Sequence, residues 1–232
     1  MMKTRTFQIL IRLAFLSLLF VLSFSLYNCG GGVEGHTQFS SVTVGIRDIV
    51  PSHLQSDVFV KVDNNNDGIC DSIHVQDDTV VVSLYSYVYS KEINKNPSPI
   101  YIDRYRLTFF NASSANNCER NYSCALLFKE SVERFISLSI NPDEKVYTTI
   151  VVIPSDWKYI LMNYCTSPAD SCKYNVFIEL HATEVFSGKS VWIDGEFTVN
   201  IGDYVQGNAN TYKDGKISVI SEKDNNCKLP GE

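Results

Sequence analysis

Residues 174–201 read YNVFIELHATEVFSGKSVWIDGEFTVNI, two alternating runs broken at Ser187-Gly188. Successive side chains of a strand point to opposite faces. In the first run, 174–186, this places Tyr174, Val176, Ile178, Leu180 and Ala182 on one side. In the second, 190–201, it groups Val191, Ile193, Gly195, Phe197, Val199 and Ile201. Ser187-Gly188 reads as the turn of a hairpin between them. A face that is apolar on one side and polar on the other belongs to an antiparallel sheet laid on a core.

Working outward, the same signal recurs at 42–50, 57–62, 79–90, 100–110, 132–140 and 146–153: β-branched and aromatic runs separated by Asn, Asp, Ser, Gly and Pro. In 79–90 the core face is Val80, Val82, Leu84, Ser86 and Val88. The single helix expected is short, over 156–163, with Ser155 as its N-cap after Pro154. The pattern resembles an immunoglobulin-like fold. It implies an all-β, antiparallel β-sandwich of seven to eight strands with at most one short helix, an architecture that carries no function by itself.

At the N-terminus, Lys3, Arg5 and Arg12 stand without an acidic residue, and Leu13 to Leu26 runs apolar as LAFLSLLFVLSFSL. These are the n-region and h-region of an export signal. As a helix the apolar run reaches about 21 Å, short of the roughly 30 Å hydrocarbon core, so it is a poor permanent span. It ends in Leu26-Tyr27-Asn28-Cys29 followed by Gly30-Gly31-Gly32. This resembles a bacterial lipobox, in which the Cys thiol is acylated and the peptide bond before it is cut, although Asn28 departs from the usual Gly, Ala or Ser. The resemblance implies a signal peptide over 1–28, lipidation at Cys29 and a lipid anchor in a bacterial cell envelope, on the outer membrane or the periplasmic face; the glycine-rich, polar stretch that follows reads as a lipidated tether over 29–40. Several acyl chains on one residue anchor stably where a single chain does not. The domain then runs over 41–202, with a polar C-terminal tail over 203–232.

The formal charge of the 232-residue chain is −6, and removal of 1–28, with three basic and no acidic side chains, takes it to −9. An acidic protein of this kind is poorly suited to nucleic acid or to anionic lipid. Six cysteines follow Cys29: Cys70, Cys118, Cys124, Cys165, Cys172 and Cys227. In an exported chain an even count reads as a disulfide framework, with fifteen pairings open. Proximity favours Cys118 with Cys124 and Cys165 with Cys172, which leaves Cys70 for Cys227. Structural zinc is the competing reading, but neither close pair has ligand spacing of two to four residues and no His lies beside them.

Asp63-Asn64-Asn65-Asn66-Asp67-Gly68-Ile69-Cys70-Asp71 sets oxygen side chains at alternate positions with a glycine for the sharp turn. The spacing is similar to the calcium loops of EF-hands, dockerins and thrombospondin type 3 repeats. It implies Ca²⁺ held by Asp63, Asn65, Asp67, the Ile69 carbonyl and Asp71. His74 occupies the position where those loops carry their bidentate acid, and Asp77 or Asp78 is the substitute within reach of the sequence. A solvated, Asx-rich hairpin loop explains the same residues. No other cofactor is implied.

The second candidate site is the face of 79–90 turned away from the core: Val81, Ser83, Tyr85, Tyr87 and Tyr89, a row to which Trp192 and Phe177 could add. Tyrosine rings on a sheet face stack sugars or anchor a protein partner, unless cross-strand packing or a second sheet covers them. The histidines, His36, His53, His74 and His181, are scattered, and no nucleophile elbow or zincin motif occurs. The expectation is therefore a non-enzymatic binding or assembly module for a protein or glycan, with a purely structural envelope lipoprotein as the alternative and an unrecognised hydrolase as the third.

Overall fold

In the computed structural model, the described residues are 36–38, 41–89, 96–165, 171–203, 206–213, 216–223 and 227, with side chains described over all but 36–38 and 206–223. Residues 1–28, expected as a signal peptide, Cys29 and most of the expected tether lie outside them. The strands are β1 (His36–Gln38), β2 (Val42–Val50), β3 (His53–Asp57), β4 (Val60–Val62), β5 (Ser72–His74), β6 (Asp78–Val88) and β7 (Ile100–Asn111). After helix α1 (Tyr122–Lys129) come β8 (Val132–Ile140) and β9 (Lys145–Ile153). Helix α2 (Ser155–Leu161) precedes β10 (Cys172–Glu184), β11 (Ser190–Gly202), β12 (Gln206–Lys213) and β13 (Lys216–Lys223). The described residues are thus mostly β, with two helices among them where one was expected.

Two larger sheets carry the core: four strands in the order β1-β2-β6-β9, and five in the order β3-β11-β10-β7-β8. Their apolar faces share one buried cluster, with Val42, Val44 and Ile46 from β2, Val80, Val82 and Leu84 from β6, and Val176, Ile178 and Leu180 from β10. The alternation read from 174–201 holds: β10 and β11 pair antiparallel from Cys172 with Ile201 to Thr183 with Ser190. The sheets approach closely at Gly195 of β11, where a Cβ would lie 3.1 Å from Ile46 Cδ1 and 3.2 Å from Ile49 Cδ1.

The sheets are not purely antiparallel. β3 pairs parallel with β11, from Thr198 with His53 to Gly202 with Asp57. β2 and β3 form one extended run that changes sheet at Pro51-Ser52, and Pro51 has no N–H for a ladder. Because the run keeps its direction as it crosses, it meets β11 pointing the same way. The stretch expected as a single strand over 57–62 is divided between β3 and β4.

Other departures lie in polar sequence. Residues 203–232, expected as a polar tail, contain the antiparallel pair β12–β13, and β12 runs against β6, β9 and β3. The tether contributes β1, antiparallel to β2 with Thr37 opposite Val44. α1 begins at Asn121, whose side chain accepts from the N–H groups of Ser123 and Cys124. Ser155 is not the cap of α2: Pro154 holds that position, and the Asp77 carboxylate accepts from the Ser155 N–H at 2.6 Å.

All six cysteines after Cys29 are paired as proximity and elimination suggest: Cys118–Cys124, Cys165–Cys172 and Cys70–Cys227. Both helices gather at one end of the sheets, where Phe109, Phe128, Trp157 and Tyr174 pack ring against ring; Phe128 and Tyr174 stack at 4.1 Å.

Candidate functional site

The tyrosine row of β6 faces away from the core. Tyr87 and Tyr89 are 42% and 51% exposed, and Tyr85 is half-buried. The Tyr85 and Tyr87 rings stack with their planes nearly parallel, 4° apart, and their centroids 5.9 Å apart. Across the strand pair, Lys145 sits opposite Tyr85, and its ammonium lies 4.6 Å from the Tyr147 ring centre. The result is a stacked tyrosine pair edged by a cation, with Tyr87 and Tyr89 open to solvent and able to offer apolar ring surface together with hydroxyls. The row is shorter than the sequence pattern implies. Val81 and Ser83, at its other end, are buried although they point the same way, where β12 runs along β6.

Trp192 does not extend this strip. It lies on β11, in the other large sheet, and also points outward, opposite His181 of β10. Arg106 lies over the indole at 4.5 Å and Arg104 at 6.0 Å, while the His181 ring is 5.0 Å away. Carboxylates close the arrangement: Arg106 Nε donates to Glu179 Oε2 at 2.7 Å, Arg104 Nη1 to Glu133 Oε1 at 3.1 Å, and His181 Nδ1 meets Asp103 Oδ1 at 2.8 Å. The hydrogen bond it donates to Glu179 holds the Arg106 proton more firmly than usual. Trp192 is therefore one member of a charge-matched surface network, and its ring is covered by guanidinium groups.

The Asp63–Asp71 loop joins β4 to β5. Its side chains meet backbone amides: Gly68 N donates to Asp63 Oδ2 at 3.0 Å, Asp67 N to Asn65 Oδ1 at 2.9 Å, Ile69 N to Asp67 Oδ1 at 2.8 Å, and Asn64 N to Asp71 Oδ2 at 2.7 Å. Asn66 and Gly68 take φ values of 58° and 83°, the left-handed conformations that Asn and Gly tolerate best. Asp77 and Asp78 do not complete this loop. Asp77 caps α2, and Asp78 is buried with the Lys158 ammonium at 2.8 Å and a hydrogen bond from Ser56 Oγ. Burial raises the Asp78 pKa against the opposing pull of Lys158. Among the described residues no three His, Cys, Asp or Glu side chains converge in a metal-holding group.

Buried polar groups escaped the sequence reading. Glu184, wholly buried at the end of β10, accepts from Ser41 N at 3.1 Å, from Ser41 Oγ and from Ser187 Oγ. Ser41 Oγ accepts in turn from Ser98 N, and Ser98 Oγ from Phe186 N. Three segments far apart in the chain are thereby tied at the base of the β10–β11 hairpin. The only signal available was an acidic residue on the core-facing side of an otherwise apolar alternation. The groove beside α1 was also missed. It has a volume of about 500 Å³ and is lined by Phe109, Phe110, Tyr122, Leu126, Phe128 and Lys129, among others.

No protein-family model matches the sequence, and no curated protein matches it either.

Proposed function

We propose that this chain is the precursor of an exported bacterial lipoprotein, anchored through Cys29, whose immunoglobulin-like β-sandwich serves as a non-enzymatic binding or assembly module for a protein or glycan. The tyrosine row carries the reading: Tyr87 and Tyr89 are exposed, and Tyr87 stacks on half-buried Tyr85. Tyrosine has few rotatable bonds and loses little side-chain freedom on binding, which is why it contributes strongly to interfaces. Pairing of all six cysteines after Cys29 accords with an oxidising compartment outside the cytosol.

A photo-cross-linking side chain placed at Tyr87 in living cells tests this, because a benzophenone reacts with C–H bonds of either partner class. A discrete adduct at Tyr87 that is missing with the same group at exposed Ser139 is the expected result. Absence of any adduct at Tyr87 favours the alternative, a purely structural envelope lipoprotein, to which the partial cover of the same face by β12 lends support.

A further inference from the structure

We infer that the helical end of the domain, built around α1 and the end of β7, rests on the membrane surface. This rests on the reading of Cys29 as the acylated residue and assigns the anchored domain its orientation.

Three observations carry it. First, this end exposes apolar side chains together: Tyr122 and Leu126, four residues apart on α1, are 77% and 45% exposed, and Phe110 beside them is 57% exposed. They border the 500 Å³ groove, with Lys129 at its edge. An apolar body with lysine at the margin suits the boundary between acyl chains and headgroups. Second, the patch is rigid. The Cys118–Cys124 disulfide pins the first turn of α1, and Phe128 packs into the aromatic cluster with Trp157 and Tyr174. Third, the direction of β1 leads there. β2 and β9 are both antiparallel to β6, so both end on the side where α2 follows β9 and where Trp157 meets Phe109 and Phe128. β1 runs antiparallel to β2, with His36 opposite Gly45, so its upstream end points toward the helices. Cys29 lies seven positions upstream of His36, a reach of at most about 25 Å.

The opposite end also carries exposed apolar residues, Val185 and Phe186, beyond the β10–β11 hairpin strands. β1 leads away from that end. The tyrosine strip, whose most exposed members lie toward the last residues of β6, then faces outward from the bilayer, where a partner would meet it.

Tryptophan quenching tests the orientation in the full-length, membrane-inserted protein. The Tyr122→Trp and Phe186→Trp variants are reconstituted into phosphatidylcholine vesicles with and without bromine-labelled acyl chains, against the wild-type signal of Trp157 and Trp192. The added emission of Tyr122→Trp should fall at least twofold with bromolipid and be insensitive to salt, while that of Phe186→Trp stays unchanged. Adding Leu126→Asp to Tyr122→Trp should reduce the quenching without releasing protein from the vesicles. Quenching at Phe186→Trp instead, or at neither position in vesicle-bound protein, overturns the inference. So does emission of Tyr122→Trp that ignores bromolipid but shifts on adding delipidated envelope protein, which would assign the patch to a protein partner. Intact mass separates this failure from that of the anchor: protein without acyl mass on Cys29 removes the lipoprotein reading itself.

Discussion

Lys158 and Asp78 illustrate how much a single side chain decides here. Both are almost wholly buried, and removing one leaves the other charged in a dry setting. Lys158→Met should therefore destabilise the fold by about 3–5 kcal/mol at neutral pH, read by urea unfolding. The pH dependence follows from the raised Asp78 pKa. A carboxyl whose pKa is higher folded than unfolded contributes stability below its unfolded pKa and loses it as pH rises through the folded value. Without Lys158 the folded value rises further, so the deficit of the variant should shrink as the buffer is taken from neutral pH toward the ordinary carboxylate range; a deficit that grows there would contradict this account. Gly195 is a second such position. Gly195→Ala places a methyl against Ile46 Cδ1 and Ile49 Cδ1 and should cost about 1 kcal/mol, with partial recovery in Gly195→Ala/Ile46→Val, which removes one of the two contacts.

Strands stand out in the sequence where their two faces differ in polarity. β2, β6, β7, β8, β9, β10 and β11 were legible within a residue or two because each lays alternating apolar side chains on the core. β12 and β13 were not: QGNANTYK and KISVISEK hold few apolar residues, and their ladder is a backbone property that composition does not report. α1 was missed because its apolar run Ala125–Phe128 is only one turn long and follows a polar, disulfide-closed stretch, although Asn121 stood ready as a cap. Asn121→Ala should cost about 1 kcal/mol and loosen α1 before the sheets. The disulfides should rank by the loop they close. Loss of Cys70–Cys227 should destabilise by up to about 5 kcal/mol, and loss of Cys118–Cys124 by about 2.4 kcal/mol, in paired Cys→Ala variants compared by denaturant midpoint. In the β4–β5 loop the carboxylates already hold backbone amides, so chelator is expected to leave the melting temperature unchanged, and a drop of several degrees would restore the calcium reading.

Which elements become neighbours is a longer-range matter, and there the sequence was silent. Alternation correctly turned Tyr87 and Trp192 outward, yet nothing local says that β6 and β11 belong to different sheets. One imagined surface is therefore two, a tyrosine strip and a charge-matched network around Trp192. The parallel seat of β3 on β11 has the same origin, since it depends on a run that changes sheet partway. Binding through the strip should respond accordingly: Tyr87→Ala with Tyr89→Ala should weaken capture of the cross-linked partner at least tenfold, while Trp192→Ala should leave it unchanged.

The bond between Cys70 and Cys227 joins positions 157 residues apart and encloses β5 through β13 in a covalent ring. A protease that cuts any loop within that ring opens it without dividing it. A nicked molecule should therefore run as one band in a non-reducing gel and as fragments after reduction. Where such cuts are frequent and repair is absent, a broken peptide bond need not mean a lost domain.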